Sequence, residues 1–442
     1  MIETAPYSLD EILKNLSIAS LNDMQKEMLD TYSKRDDILL LSPTGSGKTL
    51  GFLLSLLSKL RTDEPNTQAL ILAPSRELAQ QLETVFKSMK TSFKVSCCYG
   101  GHSLKTEKNN LLVPPAVLIG TPGRIADHID KGTFSTKAIH TLIFDEFDKA
   151  LEFGFTEQMS FIVKNLPSVQ KRILTSATQA IDIPAFVGVK SLTILDYLET
   201  ENRSQGLTIK IVVSEDVDKL EIFLKLIAAC APAEQAIVFC NHRESVERIS
   251  DHLTKFGVVS ECFHGGLDQD QRERTLAKFR NGSTNILVTT DLASRGLDIT
   301  NIKHIVHYQK PTTEEIFIHR NGRTARMGAA GTAYLLLTTE EERPAYIPTE
   351  TETLEVPDVL TLPEKPKWVT LFIGKGKKDK VNKMDVVGFL SKVGNLSKEE
   401  VGLIEVKDYF SYAAVERGKA KEVINLTSGE KIKNKTSRIE IA

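Results

Sequence analysis

Short apolar runs alternate along the first half of the chain with longer segments in which apolar residues recur at helical spacing. The segment 77–89 (ELAQQLETVFKSM) is one helical stretch, and the apolar runs are DILLL (37–41), ALILA (69–73), VSCCY (95–99), AVLIG (116–120), TLIFD (141–145) and RILTS (172–176). Strands that alternate with helices form a parallel sheet with helices on both faces. The pattern therefore predicts an α/β domain over residues 1–200.

The alternation restarts after the polar stretch 199–206. Six further apolar runs follow it, namely IKIVV (209–213), AIVFC (236–240), VVSECF (258–263), NILVTT (285–290), IKHIVHY (302–308) and TAYLLL (332–337). They predict a second α/β domain over residues 207–342. A stretch rich in Pro, Thr and Glu then predicts a linker over residues 343–366.

The remaining residues, 367–442, predict a small α+β module. We expect its strands near 370–374, 401–406 and 412–415, and its helices near 384–392 and 417–426. From Lys365 onward the chain has 17 Lys and Arg against 10 Asp and Glu, a net charge of +7, whereas the whole chain carries −2. Such a module is typical of a nucleic-acid-binding appendage or of a lysine-rich solvated surface, and charge alone does not separate the two.

The overall composition is that of an ordinary soluble protein, with 41% hydrophobic and 26% charged residues. No apolar run approaches the roughly 18 residues of a membrane-spanning helix. Glu3, with no cation before Lys14, argues against a secretory signal peptide. The five cysteines form no CxxC pair. We therefore expect a cytoplasmic protein with no membrane association. We also expect a monomer.

A glycine-rich turn directly follows the run DILLL and leads into the apolar helix 50–60. The turn consists of Ser42, Pro43, Thr44, Gly45, Ser46, Gly47, Lys48 and Thr49. A turn of this kind points backbone N–H groups at phosphate, while the lysine adds a charge and the threonine a hydroxyl for Mg²⁺. It predicts a nucleotide site, although the strict pattern has Gly where this chain has Ser42.

The run TLIF leads directly into Asp145 and Glu146. In a phosphate-binding α/β domain a neighbouring strand ends in an acid that holds Mg²⁺, and ligands lie at the carboxyl ends of the strands. We therefore interpret Asp145 as the Mg²⁺ acid. Glu146 is interpreted as the base for the attacking water, in preference to a polar strand end.

Further short motifs follow one another in order along the chain. They are PSRELAQQ (74–81), Gly100–Gly101, TPGR (121–124), DEFD (145–148), SAT (176–178), IVFCNHRE (237–244), HGGLDQDQR (264–272), TTDLASRGLDI (289–299) and HRNGRTARMG (319–328). This ordered series resembles the DEAD-box family of ATP-dependent RNA helicases. The resemblance spans both α/β domains. It implies two tandem RecA-like P-loop domains that bind ATP and Mg²⁺ and act on RNA.

The resemblance also implies roles for individual residues. Gln25, the turn 42–49 and Asp298 would bind ATP, with Thr49 and Asp145 at Mg²⁺. The catalytic residues would be Lys48, Asp145, Glu146 and two arginine fingers, Arg323 and Arg326. Asp148 would contact Ser176 and Thr178 and couple the nucleotide site to RNA. The positions that match RNA contacts are Pro74, Arg76, Glu77, Gly101, Thr121, Pro122, Gly123, Arg124, Gln269, Arg272, Thr290 and Arg295.

Two features depart from the family's pattern. The Q motif keeps Gln25, but Ser17–Ile18 and Leu21–Asn22 replace the usual Gly-Phe and Pro-Thr pairs, which weakens the case for a strict ATP preference. Phe147 stands where the family normally has Ala. Because a ring is much larger than a methyl group, we hypothesise that Phe147 is buried and tunes the coupling between the acids and the SAT segment.

The basic module resembles the C-terminal RNA-binding domain of DbpA-type helicases. That resemblance implies an RRM-like βαββαβ fold and large-subunit ribosomal RNA as the target. Because the RRM aromatic signature is absent, we expect binding to rest on cations rather than on stacked bases. These cations are Lys375, Lys377, Lys378, Lys380, Lys431, Lys433, Lys435 and Arg438.

The main hypothesis is an RNA-stimulated ATPase that unwinds short RNA duplexes during large-subunit assembly. One alternative is a non-unwinding RNA-binding scaffold or clamp gated by nucleotide. Another is a translocase on duplex DNA. The complete set of acids and arginines argues against the first alternative, and the RNA-type motifs argue against the second.

Overall fold

The computed structural model describes residues 8–34, 36–43, 45–101, 104–178, 182–198, 206–230, 234–291, 302–325, 330–358 and 361–442. The chain divides into two compact units near residue 205. The predicted site residues that lie outside the described ranges are Thr44, Arg295, Asp298 and Arg326. Within the described ranges, every helix is too short or too polar to cross a lipid bilayer.

The first unit is built on a seven-stranded parallel sheet in the order β3-β4-β2-β5-β6-β1-β7. Its strands are β1 (Asp37–Leu41), β2 (Ala69–Leu72), β3 (Val95–Cys98), β4 (Val117–Gly120), β5 (Thr141–Phe144), β6 (Lys171–Ser176) and β7 (Leu192–Asp196). Its helices are α1 (Leu9–Asn15), α2 (Asp23–Tyr32), α3 (Lys48–Leu57), α4 (Arg76–Ser88), α5 (Leu104–Leu111), α6 (Pro122–Asp130), α7 (Phe147–Glu152) and α8 (Thr156–Lys164).

The central strands of this sheet are buried on both faces, which explains why they are uninterrupted apolar runs. Side chains on the two faces enter two separate core clusters. The sequence pattern missed β7, an edge strand in which only Leu195 is fully buried. With one face largely solvated, its hydrophobic pattern is too weak to predict a strand.

The second unit contains a six-stranded parallel sheet in the order β10-β11-β9-β12-β13-β8. Its strands are β8 (Leu207–Ser214), β9 (Ala236–Phe239), β10 (Ser260–Phe263), β11 (Ile286–Thr289), β12 (His304–His307) and β13 (Gly331–Thr338). Its helices are α9 (Leu220–Cys230), α10 (Arg243–Lys255), α11 (Gln269–Arg280) and α12 (Glu314–Asn321). Both sheets confirm the predicted tandem α/β architecture.

The segment predicted to be a linker differs from that expectation in its first half. Ile347 is 3% exposed and belongs to a core cluster of the second unit. Ile211, on the edge strand β8, donates to the Glu352 carbonyl oxygen at 2.9 Å and accepts from the Leu354 N–H at 2.7 Å. Because this segment covers the open edge of the sheet and buries apolar side chains, it is part of the domain.

The C-terminal module has a four-stranded antiparallel sheet in the order β15-β16-β14-β19. Its elements are β14 (Trp368–Ile373), α13 (Lys383–Lys392), β15 (Val401–Val406), β16 (Ser411–Glu416), α14 (Ala420–Thr427), the hairpin β17 (Lys431–Ile432) and β18 (Lys435–Thr436), and β19 (Ile439–Ile441). The predicted βαββαβ order is confirmed, with a short hairpin added before the last strand.

Candidate nucleotide and RNA sites

Apart from Gln25, which lies in α2, the predicted site segments of the first unit lie at the carboxyl ends of strands in one parallel sheet. The phosphate turn follows β1, the SAT segment begins at the end of β6, and the acids follow β5. The predicted RNA segments 74–77, 100–101 and 121–124 follow β2, β3 and β4. Because β2 and β5 are neighbours in the sheet, the nucleotide half and the RNA half of this edge adjoin.

The phosphate turn depends on glycine at position 47. Gly47 has a φ of 90°, and a Cβ atom there would lie 2.4 Å from Gln25 Nε2. Gln25 Nε2 donates to the Gly47 carbonyl oxygen at 3.2 Å, and Asn22 Nδ2 donates to the Ser46 carbonyl oxygen at 2.9 Å. The altered Q motif therefore still joins α2 to the phosphate turn, through Gln25 and the Asn that replaces Thr.

Lys48 lies within the turn. Its Nζ donates to the carbonyl oxygens of Ser42 and of Pro43, the latter at 2.8 Å. The Ser42 hydroxyl donates to Ser46 Oγ at 2.6 Å, so the extra side chain at the position usually held by Gly has a partner inside the turn. Phosphate oxygens entering the turn would compete with the two carbonyls for the ammonium.

The two acids are fixed by one side chain from the neighbouring strand. Thr175 donates its hydroxyl hydrogen to Asp145 Oδ1 at 2.6 Å and accepts from the Glu146 N–H at 3.0 Å. Glu146 has a left-handed backbone with φ of 49°, a strained conformation for a residue other than glycine. Burial raises the pKa of Asp145 above its usual range, whereas the Thr175 bond and the Lys48 charge act to lower it.

Sequence reasoning missed Thr175. It precedes the SAT segment, and its role depends on the parallel pairing of β5 with β6, which sets Leu174 beside Phe144. The register continues by one residue to bring Thr175 beside Asp145. Counting residues along β5 and β6 from their paired positions would identify this contact, but only once it is known that the two strands are neighbours.

We expect Thr175→Val to move the acid side of the pH–activity profile to higher pH. The substitution removes a hydrogen bond that lowers the pKa of Asp145, so this carboxyl stays protonated to a higher pH. The measurement is ATP turnover as a function of pH. Thr84→Val, at an exposed threonine of α4, is the matched control. Superimposable profiles for Thr175→Val and the unaltered chain would contradict this role.

The expected contact of Asp148 with Ser176 and Thr178 is not formed. Ser176 Oγ donates to the Thr178 carbonyl oxygen and accepts from the Thr178 N–H, both at 3.0 Å, so the SAT turn satisfies itself. Among the described residues neither carboxylate oxygen of Asp148 has a hydrogen-bond partner, and Lys149 Nζ lies 3.5 Å away. Burial raises the pKa of Asp148 as a result.

Phe147 is fully buried, as expected. Its ring packs edge-to-face on Phe144 with centroids 5.2 Å apart and an interplanar angle of 68°. Both rings belong to the same core cluster on one face of the sheet. The ring therefore ties the first turn of α7, which carries Asp148, to the strand that delivers Asp145.

The predicted RNA segments of the first unit are held by local contacts. The Ser75 hydroxyl accepts from the Leu78 N–H at 3.1 Å and caps α4. The Arg76 guanidinium packs on Gly100, where a Cβ atom would lie 3.3 Å from Nη2. Thr121, Pro122, Gly123 and Arg124 form the start of α6. These segments thus present a cap, a glycine turn and a helix N-terminus along one edge, groups suited to RNA backbone.

In the second unit, Gln269 and Arg272 lie in the first turn of α11, where Arg272 Nη2 donates to the Gly265 carbonyl oxygen at 3.0 Å. Arg323 is 2% exposed. Thr290 follows β11 directly. Sequence reasoning did not assign Arg320, which is fully buried.

Arg320 holds together the segments that follow β9 and β11. Its guanidinium donates to Asp291 Oδ1 at 2.6 Å and to Asn241 Oδ1 at 2.8 Å. It also lies over the Phe239 ring, 5.2 Å from the centroid. The signal in the sequence was its place in HRNGRTARMG, directly before the predicted finger segment.

An aromatic cluster lies on the outer face of the C-terminal sheet, the face opposite the module core. The sequence did not predict this cluster, because it lacks the RRM aromatic signature. Along β14, Leu371 and Ile373 enter the core, so Phe372 points to the opposite face, and its cross-strand partner is Tyr412. Phe410 lies 5.5 Å from Phe372 and 5.2 Å from Tyr412 between ring centroids. Phe372 and Phe410 are half-buried. The module therefore carries aromatic rings as well as cations.

Part of this outer face is covered by the second α/β domain. Thr370 Oγ1 accepts from Asn281 Nδ2 at 2.8 Å and bonds Ser283 Oγ at 2.8 Å. Arg280 at the end of α11 pairs with Glu405 at 2.8 Å. Helix α11, which carries Gln269 and Arg272 in its first turn, thus ends against the C-terminal sheet within the same compact unit.

Five of the seven predicted lysines fall into two groups. The first group forms ion pairs with acids of the module. Asp379 pairs with Lys375 at 3.9 Å and with Lys435 at 2.9 Å, and Asp385 pairs with Lys433 at 3.1 Å. Lys377 and Lys378 are exposed and form no ion pair among the described residues. The second group is the better placed to bind phosphate.

Comparison with known proteins decides the family. Residues 22–185 match the DEAD/DEAH box helicase family, residues 218–328 the helicase conserved C-terminal domain, and residues 370–441 the DbpA RNA binding domain. The ATP-dependent RNA helicase DbpA of Bacillus subtilis is 30% identical over 465 residues, covering 97% of this chain and 96% of the relative. The protein of the same name from Escherichia coli is 30% identical over 441 residues, with the same coverage.

The chain belongs to the DEAD-box family of ATP-dependent RNA helicases. It is therefore an enzyme that hydrolyses ATP and binds RNA. The helicase is also similar to the solved structure of S. cerevisiae Dbp5 bound to RNA and ADP BeF3, with a TM-score of 0.66 and 25% identity over 75% of this chain and 88% of that one. Mss116p bound to ssRNA and AMP-PNP shares the fold, with a TM-score of 0.67 and 24% identity over 77% of this chain and 74% of that one.

Proposed function

We propose that this helicase unwinds short RNA duplexes during assembly of the large ribosomal subunit. The observation that carries the proposal is the C-terminal module, which matches the DbpA RNA binding domain and is joined to α11 of the second α/β domain. A basic module fixed to a helicase domain can bring a chosen RNA to the ATP-driven part of the enzyme. We further propose that the helicase acts as a cytoplasmic monomer.

We propose Mg²⁺ as the metal that accompanies ATP. Asp145 is a buried carboxyl whose pKa is raised by burial, and Thr49 follows the lysine of the phosphate turn, so the donor set is one of oxygens. Oxygen ligands are those that Mg²⁺ prefers. Thr49 and Asp145 would hold the ion, which would neutralise phosphate charge. Glu146 would orient the attacking water and accept its proton.

We propose that the aromatic cluster of the C-terminal sheet stacks unpaired bases while nearby lysines bind phosphates. Phe372 and Phe410 are half-buried and so keep accessible ring surface. The loop that carries Lys377 and Lys378 is hydrogen-bonded to the turn before Phe410, with both backbone N–H groups donating at 2.8 Å. Rings beside cations are the combination that single-stranded RNA requires.

Phe410→Ala is expected to weaken binding of single-stranded RNA about tenfold, because stacking of a base on a ring contributes about 1–3 kcal/mol. The measurement is RNA affinity of the full chain at fixed salt. Phe161→Ala, at a ring of the first unit that is 37% exposed, is the matched control. Equal RNA affinities for Phe410→Ala and Phe161→Ala would show that the aromatic cluster does not bind RNA.

The target is tested by cross-linking the full chain to cellular RNA and sequencing what is bound. The proposal expects enrichment of large-subunit ribosomal RNA, and enrichment lost when residues 367–442 are removed. Absence of ribosomal RNA among the bound sequences would overturn the assembly role. A strand-separation assay distinguishes unwinding from the clamp alternative, since a clamp would hold RNA with ATP and release no strand.

A further inference from the structure

Glu107 of α5 connects two segments that are far apart in the sequence. Its Oε1 accepts from the Tyr99 N–H at 3.2 Å, and its Oε2 lies 2.6 Å from Arg124 Nε and 2.7 Å from His128 Nε2. The glutamate is 5% exposed and the histidine 0%. The other ring nitrogen of that histidine, Nδ1, is 2.8 Å from the Thr133 hydroxyl. A single buried carboxylate thus joins the turn before Gly100 to the helix of the TPGR motif.

Only a carboxylate suits this position. The carboxylate faces the backbone N–H of Tyr99, the Nε–H of Arg124 and Nε2 of His128. Because this histidine nitrogen faces an anion, it must carry a hydrogen. Three donors require two acceptor oxygens with several lone pairs. An amide has one acceptor oxygen, and its NH₂ group would face a donor. The hydrogen bond to Arg124 uses Nε, the guanidinium nitrogen nearest the chain, so it fixes the plane of the whole group.

We propose that Glu107 is a positioning residue for RNA binding. It holds the Arg124 guanidinium in one orientation and ties the Gly100–Gly101 turn to the TPGR segment, so that two backbone-binding elements act with fixed spacing. The inference rests on the proposed contact of Arg124 with RNA. Glu107 itself does not touch RNA in this proposal.

A metal site is the main alternative, because Cys98 Sγ, a Glu107 oxygen and a His128 nitrogen lie within 4.8 Å of one another. Two observations favour positioning. Burial raises the pKa of the Cys98 thiol, which disfavours the thiolate that a metal would need. The Arg124 side chain already supplies the positive charge, with side chains of Arg124 and Glu107 only 10% and 7% exposed.

The test is a double-mutant cycle on RNA-stimulated ATP hydrolysis by the full chain. Glu107→Gln is expected to raise the RNA concentration for half-maximal stimulation about tenfold, the size expected for a lost hydrogen bond to a charged group. The rate at saturating RNA should change by less than about twofold. The double variant Glu107→Gln/Arg124→Ala should behave like Arg124→Ala alone, since both changes remove the same oriented guanidinium.

A second variant keeps the inference testable if Glu107→Gln does not fold. Arg124→Lys keeps the charge and lacks the planar group that Glu107 orients, so it should match the effect of Glu107→Gln. Glu157→Gln, at an exposed glutamate of α8, is the matched control and should behave like the unaltered chain. Melting temperatures identify variants that lose the fold.

The outcomes separate this inference from the proposed function. Additive effects of Glu107→Gln and Arg124→Ala, or an unchanged RNA requirement in both Glu107→Gln and Arg124→Lys, would overturn the positioning role while leaving RNA-stimulated hydrolysis intact. A shift in RNA requirement after treatment with a zinc-selective chelator would replace it with a metal site. An unaltered chain that RNA does not stimulate, or Arg124→Ala without effect, would overturn the RNA contact on which the inference rests.

Discussion

Glu146→Gln is expected to lower ATP turnover by at least about 10²-fold, in the range found for loss of a general base. The backbone of Glu146 is held by its N–H bond to Thr175 in a left-handed conformation, and that geometry does not depend on the charge of the side chain. An amide cannot accept the proton of the attacking water. ATP affinity should therefore stay within a few-fold of the unaltered value, because the phosphate turn and Lys48 are unchanged.

The measurement is steady-state ATP turnover together with equilibrium binding of a fluorescent ATP analogue. Glu157→Gln makes the same chemical change at an exposed site of the same unit and should leave both quantities unaltered. Turnover of Glu146→Gln equal to that of the control would remove Glu146 from the catalytic step. A large loss of nucleotide affinity would instead indicate a role in binding.

Phe147→Ala is expected to destabilise the first unit by about 3–5 kcal/mol, as for other buried Phe to Ala changes. The ring is fully buried against Phe144, so its removal leaves a cavity beneath the acids. The family normally has Ala at this position, but the neighbours here have packed around a ring. We also expect weaker RNA stimulation, because α7 carries Asp148 and would lose its anchor to β5.

Hydrogen exchange of the β5 and α7 amides in the full chain measures this effect locally. Phe161→Ala, which removes a ring that is 37% exposed, should cost far less. Protection of β5 and α7 equal to that of the control, with unchanged RNA stimulation, would mean that Phe147 contributes nothing to the site.

Residues that follow a strand or form a turn were predictable from the sequence. The phosphate turn and the pair Asp145–Glu146 belong to this class, because each follows an apolar run that must be a buried strand. Contacts that depend on which strands pair were not predictable. Thr175 and Glu107 are examples, since the first needs the register of β5 with β6 and the second needs α5 beside the start of α6.

The burial and the contacts of several side chains were also not predictable from the sequence. Phe372 and Tyr412 lie on the sheet face opposite the module core because alternate residues of β14 and β16 fill that core, and they match no motif. Ile347 lies in a stretch whose composition is typical of a linker, yet its side chain is buried on the second domain. Asp148 was expected to form hydrogen bonds with the SAT segment. Instead, Ser176 and Thr178 of that segment form hydrogen bonds with each other.

We expect this helicase to couple RNA binding to ATP hydrolysis at Glu146. The most direct test is steady-state ATP hydrolysis by the full chain, with and without RNA, for the unaltered protein and for Glu146→Gln. RNA should raise turnover several-fold in the unaltered protein, and Glu146→Gln should abolish the stimulated rate. A rate that RNA does not raise, or a stimulated rate that survives Glu146→Gln, would contradict it.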